Sequence, residues 1–224
     1  MPEDEIKARV LNAALSHVPF DGWSEATLKA AITQSGVAPA LARALFPRGG
    51  VDLALAYHQR GDDAMATQLA KLDLKNVAFR DRVAKAVRTR LELSDKELAR
   101  RGTTLFALPI HAADGARAIW GTADRIWTAL GDKSQDFSWY SKRATLSGVY
   151  ASTVLFWLGD DSPGQHDTWE FLDRRIEEVM QFGSLTKRLQ ENRLGEAMMR
   201  GPGKILESIR APRLPSDLPG WIRR

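Results

Sequence analysis

The sequence predicts an all-α fold. Apolar residues recur at spacings of three and four along most of the chain, which is the pattern of a helix with one buried face, and no segment alternates apolar and polar residues as a strand does. Glycine and proline divide this pattern into segments of ordinary helix length. The 224 residues, 44% of them hydrophobic, are enough to bury a core.

The sequence predicts a subdomain of three short helices in residues 1–48. Apolar residues four apart mark the first helix: Ile6, Val10, Ala14 and Val18. Ser24 can cap the second helix, which should end at Gly36. The third helix should follow Pro39 and end near Pro47, because proline fits the first turn of a helix and does not continue one.

Residues 49–183 predict a larger helical body. After a Gly-Gly break, a fourth helix should run from 51 to 72. The fifth helix is marked by an apolar stripe of Val83, Val87 and Leu91. Ser94 and Glu97 have the spacing of a capping box, so Ser94 should cap a sixth helix that stops at Pro109.

Three longer helices should complete this body. Trp120 and Trp127 are seven residues apart and therefore share one face of the seventh helix, which should end at Gly131. The eighth helix, 137–158, is apolar on nearly all sides in its second half, and such helices are usually buried centrally. The ninth should occupy 162–183, between a Ser-Pro-Gly-Gln start signal and a glycine.

Residues 184–224 predict a basic, amphipathic C-terminal helix. This segment has nine basic and four acidic residues, so it carries a charge of +5, whereas the rest of the chain carries −1. Its apolar stripe and the basic residues beside it are Leu194, Met198, Ile205, Ile209, Arg200, Lys204 and Arg210. The pattern is typical of a helix that lies on an anionic membrane surface. It also fits a last helix that docks on the body.

Residues 24–46 resemble the helix-turn-helix of TetR-type repressors, with Gly36 at the turn and Phe46 at an aromatic position. Reading bases requires Arg, Lys, Asn, Gln, Ser or Thr on the second helix, and anchoring phosphates requires several cationic or hydroxyl groups. Only Arg43 qualifies in residues 38–45. We therefore expect a degenerate helix-turn-helix and no nucleic-acid partner. A TetR-like transcriptional regulator with a lipid effector is the alternative function.

The sequence lacks the motifs of common catalytic and metal sites. None of its four histidines has the Glu-x-x-His or His-x-x-x-His spacing of a metal site, there is no cysteine, and no Gly-x-Ser-x-Gly elbow occurs. We therefore expect neither an enzyme nor a metal or cofactor. No apolar run approaches the roughly 20 residues that span a bilayer. The polar N-terminus is unlike a signal or transit peptide, so a cytoplasmic location is expected.

Two longer motifs carry a family resemblance. They are GDKSQDFSWYSKR at 131–143 and DTWEFLDRR at 167–175. Together they resemble the Coq-nine family of ubiquinone-biosynthesis proteins, whose pattern reads Gly-Asp-x-Ser-x-Asp-Phe-x-Trp-Tyr-x-x-Arg and then Asp-Thr-Trp-x-Phe-Leu. Weaker similarity extends the resemblance over roughly residues 10–183. The chain resembles a member of the family of bacterial type.

The resemblance implies a TetR-like fold, usually dimeric, with a lipid pocket in the helical body. It implies an accessory protein that binds isoprenoid quinone intermediates, or another isoprenoid lipid, and presents them to the di-iron hydroxylase of demethoxyubiquinone. It also implies a C-terminal amphipathic helix that touches the membrane. The expected location is therefore peripheral, on the inner membrane.

The first motif supplies a candidate partner-binding patch. Carried over by position, Asp136, Trp139, Tyr140 and Arg143 fall on the functional surface of the family. Trp, Tyr and Arg are the residue types that dominate interface hot spots. The alternative is that Trp139 packs in the core and Asp136 only caps the helix.

The body also supplies candidates for a lipid pocket. Each buried methylene is worth about 0.8 kcal/mol, so a polyprenyl tail leaves the bilayer only if another apolar surface covers it. The candidate lining residues are Trp120, Trp127, Leu146, Val149, Tyr150, Phe156 and Trp157. The same side chains could equally form an ordinary core.

Overall fold

The computed structural model describes residues 2–190 and 210–211, with their side chains except those of residues 182–190. These residues form ten α-helices and no strand, so the predicted all-α fold is confirmed. In chain order the helices are α1 (Glu3–Ala14), α2 (Val18–Asp21), α3 (Glu25–Ser35), α4 (Pro39–Leu45), α5 (Gly50–Leu69), α6 (Phe79–Glu92), α7 (Lys96–Phe106), α8 (Ala112–Ala129), α9 (Phe137–Gly159) and α10 (His166–Gln190). Most of the predicted amphipathic tail helix, residues 191–209 and 212–224, lies outside the described residues.

The signals at both ends of α3 act as the sequence predicts. Ser24 caps this helix, because its hydroxyl accepts a hydrogen bond of 3.2 Å from the backbone N–H of Thr27. Gly36 follows the helix with a φ of 65°, a left-handed conformation that glycine adopts without steric cost. These two residues fix the length of α3 and the turn into α4.

Several other boundaries differ from prediction. The helix α10 begins at His166, after a short 3₁₀ turn of Pro163–Gln165, and not at the predicted Ser-Pro-Gly-Gln start signal. The first helix ends at Ala14, and Pro19 lies in the first turn of the separate helix α2, where its missing N–H has no cost. The helix α5 ends at Leu69, three residues earlier than predicted. The helix α10 continues through Gly183, because a glycine inside a helix costs only about 1 kcal/mol relative to alanine.

The predicted capping box at the start of α7 is wrong. The cap is Asp95, whose carboxylate accepts a hydrogen bond of 2.9 Å from the backbone N–H of Leu98. Ser94 instead accepts a hydrogen bond of 2.6 Å from the guanidinium of Arg90. Both residue types favour the capping position, and Ser94 is instead bonded to Arg90, whose guanidinium is held in place by Asp62 of α5.

The buried side chains form two clusters. The first joins α1, α3, α4 and the start of α5, and it also includes Leu98 of α7, so it extends well beyond residue 48. The second joins the end of α5 to α6, α8, α9 and α10, around Met65, Ile126 and Leu172. The 20-residue helix α5 contributes to both clusters and therefore connects the N-terminal helices rigidly to the body.

The helix α9 is buried on one side only. Leu146, Tyr150 and Trp157 are each at most 3% exposed, as expected for a central helix. However, Leu155 is 63% exposed and Phe156 is 38% exposed, so the prediction of burial on nearly all sides is wrong. The exposed face carries large apolar side chains that are costly to leave in water.

Candidate functional site

An apolar cavity of about 400 Å³ lies in the helical body, between α5, α6, α7, α8 and α9. This volume falls within the range of small-molecule sites, about 300–1,000 Å³. Trp23, from the segment before α3, forms one wall, and its indole N–H donates a hydrogen bond of 3.1 Å to the carbonyl of Leu98. The bond attaches this wall to α7.

One end of the cavity is polar. Arg90 is the central group: its Nε donates to Asp62 at 2.6 Å, its Nη1 to Ser94 at 2.6 Å and its Nη2 to the carbonyl of His58 at 2.9 Å. The side chains of Arg90 and Asp62 are only 4% and 9% exposed, so this is a buried ion pair with further hydrogen bonds. A buried pair persists when its remaining polar atoms are satisfied in this way.

A glycine makes room for this ion pair. A Cβ on Gly61 of α5 would lie 2.5 Å from Cζ of Arg90, closer than any side chain tolerates. The guanidinium therefore packs directly on the backbone of α5. This close approach explains a glycine in the middle of a long helix, where it would otherwise only destabilise.

The other polar groups at this end are uncharged. Thr122 donates to Asp62 at 2.9 Å, and its oxygen lies 2.7 Å from Nε2 of His58. Burial lowers the pKa of His58, so its imidazole is neutral at neutral pH. Burial also raises the pKa of Tyr150, which lines the cavity beside Arg90 and stays a neutral phenol.

Trp157 contributes a hydrogen-bond donor without an acceptor. Its side chain lines the cavity and is 2% exposed, and no atom of the described chain accepts a hydrogen bond from its Nε1–H. Buried polar groups without a partner are rare in native proteins, and each one requires a physical explanation.

The opposite end of the cavity opens to solvent. The exposed lining residues are Ala107, at the end of α7, Ala112 and Ala116, at the start of α8, and Leu155 on α9. The connection between α7 and α8, residues 107–111, borders this mouth and includes Leu108, 48% exposed, and Ile110, 80% exposed. Exposed apolar side chains therefore surround the entrance to an apolar cavity.

Two of the seven residues predicted to line a pocket line this cavity, namely Tyr150 and Trp157. Leu146 and Val149 belong to the second buried cluster. Trp127 stacks on Phe79 with ring centroids 5.4 Å apart, outside the cavity.

The last two candidates lie at other surfaces. Phe156 stacks on Phe171 at 4.5 Å, between α9 and α10. Trp120 packs against Trp139 at 6.1 Å. Sequence reasoning missed the polar end of the cavity, although His58, Gly61 and Asp62 on one helix gave a signal, since an isolated glycine inside a helix often has a packing reason.

The residues of the predicted patch meet at the start of α9. Trp139 is half-buried and contacts Tyr140 edge to face at 4.8 Å. Asp136 caps α9 by accepting a hydrogen bond of 3.0 Å from the N–H of Ser138. Arg143 lies beneath this surface: it is 3% exposed and its Cζ lies 3.9 Å from the ring centroid of Trp139.

A buried network holds this patch. Arg143 pairs with Asp132 at 3.1 Å and with Asp124 at 2.6 Å, and Lys142 pairs with Asp132 at 2.8 Å. Burial of Asp132 disfavours its charge, but hydrogen bonds from Lys142, Ser134 and Arg143 outweigh that effect and lower its pKa to about 2. The charged side chains of the first motif, together with Asp124, thus hold the loop that presents Trp139.

The second motif also holds the fold in place. Thr168 is fully buried and donates its backbone N–H to Asp160 at 3.0 Å. The indole N–H of Trp169 donates to the carbonyl of Gly164 at 2.9 Å, and Arg88 lies over its ring at 4.7 Å. These contacts set the turn between α9 and α10.

The patch and the cavity are separate. Tyr150 follows Trp139 by eleven positions in α9, a rise of about 16 Å along the helix. Within the described part of the tail, the hydroxyl of Tyr140 donates to the carbonyl of Arg210 at 3.3 Å, and next to the patch the backbone N–H of Ala211 donates to the carbonyl of Gln135 at 3.1 Å. Of the predicted membrane helix, only the exposed Arg210 lies within the described residues; the other six residues do not.

The helix-turn-helix offers no free reader of bases on α4. Arg43, which the sequence singled out, lies 2.5 Å from Glu25 in an ion pair. Phe46 is buried in the first cluster. Among the described residues, no group of three or more acidic or histidine side chains is placed to hold a metal ion, and no helix is both long and apolar enough to cross a membrane.

The fold is similar to that of a transcriptional regulator. The TetR transcriptional regulator from Nitrosomonas europaea ATCC 19718 superposes with a TM-score of 0.61 over 79% of this chain and 99% of its own, at 17% sequence identity. This similarity confirms the predicted TetR-like fold, and at so low an identity it concerns the fold alone.

The sequence itself matches one family along most of its length. The profile described as COQ9 matches residues 112–183, and that described as ubiquinone biosynthesis protein COQ9, N-terminal domain, matches residues 3–31. The mitochondrial COQ9 of Rattus norvegicus is 30% identical over 89% of this chain, and COQ9-B of Xenopus laevis is 31% identical over 89% of this chain and 70% of its own. The chain spans 64–66% of the length of the rat, Bos taurus and Xenopus tropicalis relatives. This similarity includes both motifs, which lie at the starts of α9 and α10. The chain therefore belongs to the COQ9 family of ubiquinone biosynthesis proteins.

Proposed function

We propose that the protein is a non-enzymatic accessory protein of ubiquinone biosynthesis. It binds isoprenoid quinone intermediates at the membrane in the cavity between α5 and α9, and it presents them to the di-iron demethoxyubiquinone hydroxylase. No cofactor takes part, and the bound lipid is the ligand.

The apolar cavity is the observation that carries this proposal. A prenyl chain leaves a bilayer at a cost of about 0.8 kcal/mol per methylene unless a protein surface replaces the lipid. The cavity offers such a surface, and exposed Leu108, Ile110 and Leu155 surround its mouth. A mouth of this kind suits direct contact with the bilayer, so that the chain would not cross water.

The membrane and the partners belong to the same proposal. We infer a peripheral location on the inner membrane, with the basic tail helix binding anionic headgroups. The Trp139 and Tyr140 surface binds the hydroxylase, supported by the buried ion pairs that hold it rigidly. A homodimer would cover the exposed apolar side chains of α9 and α10, namely Phe156, Val179 and Met180.

Native mass spectrometry of the purified full-length chain tests lipid binding. The expected spectrum contains protein with a bound lipid or quinone, in a dimer at micromolar concentration. Protein that carries no lipid, and that takes up none from liposomes containing ubiquinone, would contradict the proposal. Liposome flotation with a chain ending at residue 190 separates the two membrane contacts, because the truncated chain should lose binding to anionic vesicles and still fold.

A further inference from the structure

We propose that residues 210–211 form an inhibitory strap, which occupies the Trp139 and Tyr140 surface and competes there with the protein partner. This inference rests on the proposed function, because it adds a competitor at the surface that binds the hydroxylase. The strap is a piece of the tail for which neither the cavity nor the contact with the membrane accounts.

The first argument is the seating of the strap. The hydroxyl of Tyr140 donates a hydrogen bond of 3.3 Å to the carbonyl of Arg210, and the backbone N–H of Ala211 donates one of 3.1 Å to the carbonyl of Gln135. This carbonyl of Arg210 and the N–H of Ala211 belong to one peptide unit, and in a trans peptide they point in opposite directions. The peptide unit is therefore held from both sides, between the loop before α9 and the first turn of that helix.

The second argument is the place of this contact. Tyr140 packs edge to face on Trp139 with ring centroids 4.8 Å apart, and Gln135 adjoins Asp136, the cap of α9. The strap therefore lies on residues of the candidate partner-binding patch. A partner that bonds to the hydroxyl of Tyr140, or packs over the start of α9, must displace the strap.

The third argument is the kind of recognition. Both hydrogen bonds use main-chain groups of the strap, Arg210 is exposed, and neither Arg210 nor Ala211 belongs to a helix. Main-chain hydrogen bonds give a peptide affinity for a site whatever side chains the peptide carries. An extended segment of the partner can therefore make the same two bonds in place of the strap.

The strength of the strap suits a reversible competitor. Its two hydrogen bonds each change an equilibrium by about threefold to tenfold, which a protein interface readily exceeds. However, the strap belongs to the same chain as the patch, so its effective concentration there is high and does not fall on dilution. The strap therefore covers the patch in the free protein and lowers the apparent affinity for the partner.

Ala211→Pro tests the strap without changing the patch. Proline has no N–H, so the variant loses the bond to Gln135, and interferometry should show about threefold to tenfold tighter binding of the purified hydroxylase than to the wild type. Ala211→Ser is the matched control, because it keeps the N–H and should bind as the wild type does. Binding to Ala211→Pro that is no tighter than to the wild type would overturn the competition.

A disulfide between positions 135 and 211 tests the same contact reversibly. The chain has no cysteine, and the main-chain hydrogen bond brings these two positions within reach of a disulfide. The full chain with Gln135→Cys and Ala211→Cys should cross-link on oxidation and then bind the hydroxylase at least tenfold more weakly. Reduction should restore binding, and neither single variant should respond to oxidation or reduction.

The outcomes separate this inference from the proposed function. A double variant that does not cross-link, or a cross-linked chain that binds the hydroxylase as tightly as the reduced chain, overturns the strap and leaves partner binding intact. Cross-linking without any binding of the hydroxylase, in the wild type and in Ala211→Pro alike, overturns the proposed partner and the competition together.

Discussion

Gly61→Ala tests whether the buried polar cluster depends on direct packing of Arg90 against α5. The added Cβ would lie 2.5 Å from Cζ, 2.6 Å from Nη1 and 2.7 Å from Nη2 of Arg90. The guanidinium is buried and held by three hydrogen bonds, so it can move only by giving up its contact with Asp62.

The expected effect has two opposing parts. Alanine favours the helix by roughly 0.5–1 kcal/mol over glycine. Loss of the partner of a buried charge costs about 3–5 kcal/mol, and here Asp62 would lose Arg90. The free energy of unfolding should therefore fall by about 2–4 kcal/mol, which lowers Tm by roughly 4–16 °C in a chain of this size.

Urea denaturation followed by circular dichroism measures this change. Gly121→Ala is the matched control, because a Cβ on Gly121 in α8 meets no atom within 4 Å and the substitution should stabilise the protein slightly. If Gly61→Ala were as stable as the wild type or more stable, the close packing of the guanidinium on α5 would be refuted.

Three further predictions concern the surface and the patch. Asp132→Asn should lower the free energy of unfolding by about 2 kcal/mol at neutral pH, because the folded-state pKa of Asp132 is about 2 against an ordinary 3.8. Urea titrations should show this difference shrinking as pH falls from about 4 and disappearing below about 2; a difference of unchanged size at pH 2 would contradict it. Trp139→Ala should weaken binding of the hydroxylase at least tenfold, as measured by interferometry. Lipid uptake, measured by native mass spectrometry, should stay unchanged. Loss of lipid uptake would refute the separation of patch and cavity. Gel shifts with genomic fragments at low salt should show no retarded band, because Arg43 is the single side chain in residues 38–45 of a type that reads bases or anchors phosphates; a salt-dependent complex would contradict this.

The helices and many of their ends could be predicted because they depend on local signals. Apolar spacing marks α8 and α9, and Ser24 and Gly36 fix the ends of α3 through contacts within a few residues. The cap of α7 could not be predicted in the same way. Ser94 and Asp95 are both suitable caps, and the choice follows from the contact of Ser94 with Arg90, which is positioned by Asp62, 28 residues away in the sequence.

The candidate site was predictable only in part. Tyr150 and Trp157 could be identified because they are large residues on the buried face of a helix, but the same property selected Trp127, which packs elsewhere. The polar end depends on the meeting of Asp62, Arg90 and Thr122 across 28 and 60 residues of sequence, which no local pattern encodes. Likewise, the resemblance places Arg143 in the candidate partner-binding patch without indicating that its side chain is buried.

The most direct test of the central claim is to fill the cavity. Ala151→Phe places a large side chain on the wall of the cavity, and Ala144→Phe makes the same substitution at an exposed position of the same helix. Both variants should be equilibrated with liposomes containing ubiquinone and examined by native mass spectrometry. The account predicts that Ala151→Phe carries at most one tenth of the quinone that the wild type carries. Ala144→Phe should carry as much quinone as the wild type. Equal quinone occupancy in Ala151→Phe and the wild type would contradict the claim that this cavity holds the lipid.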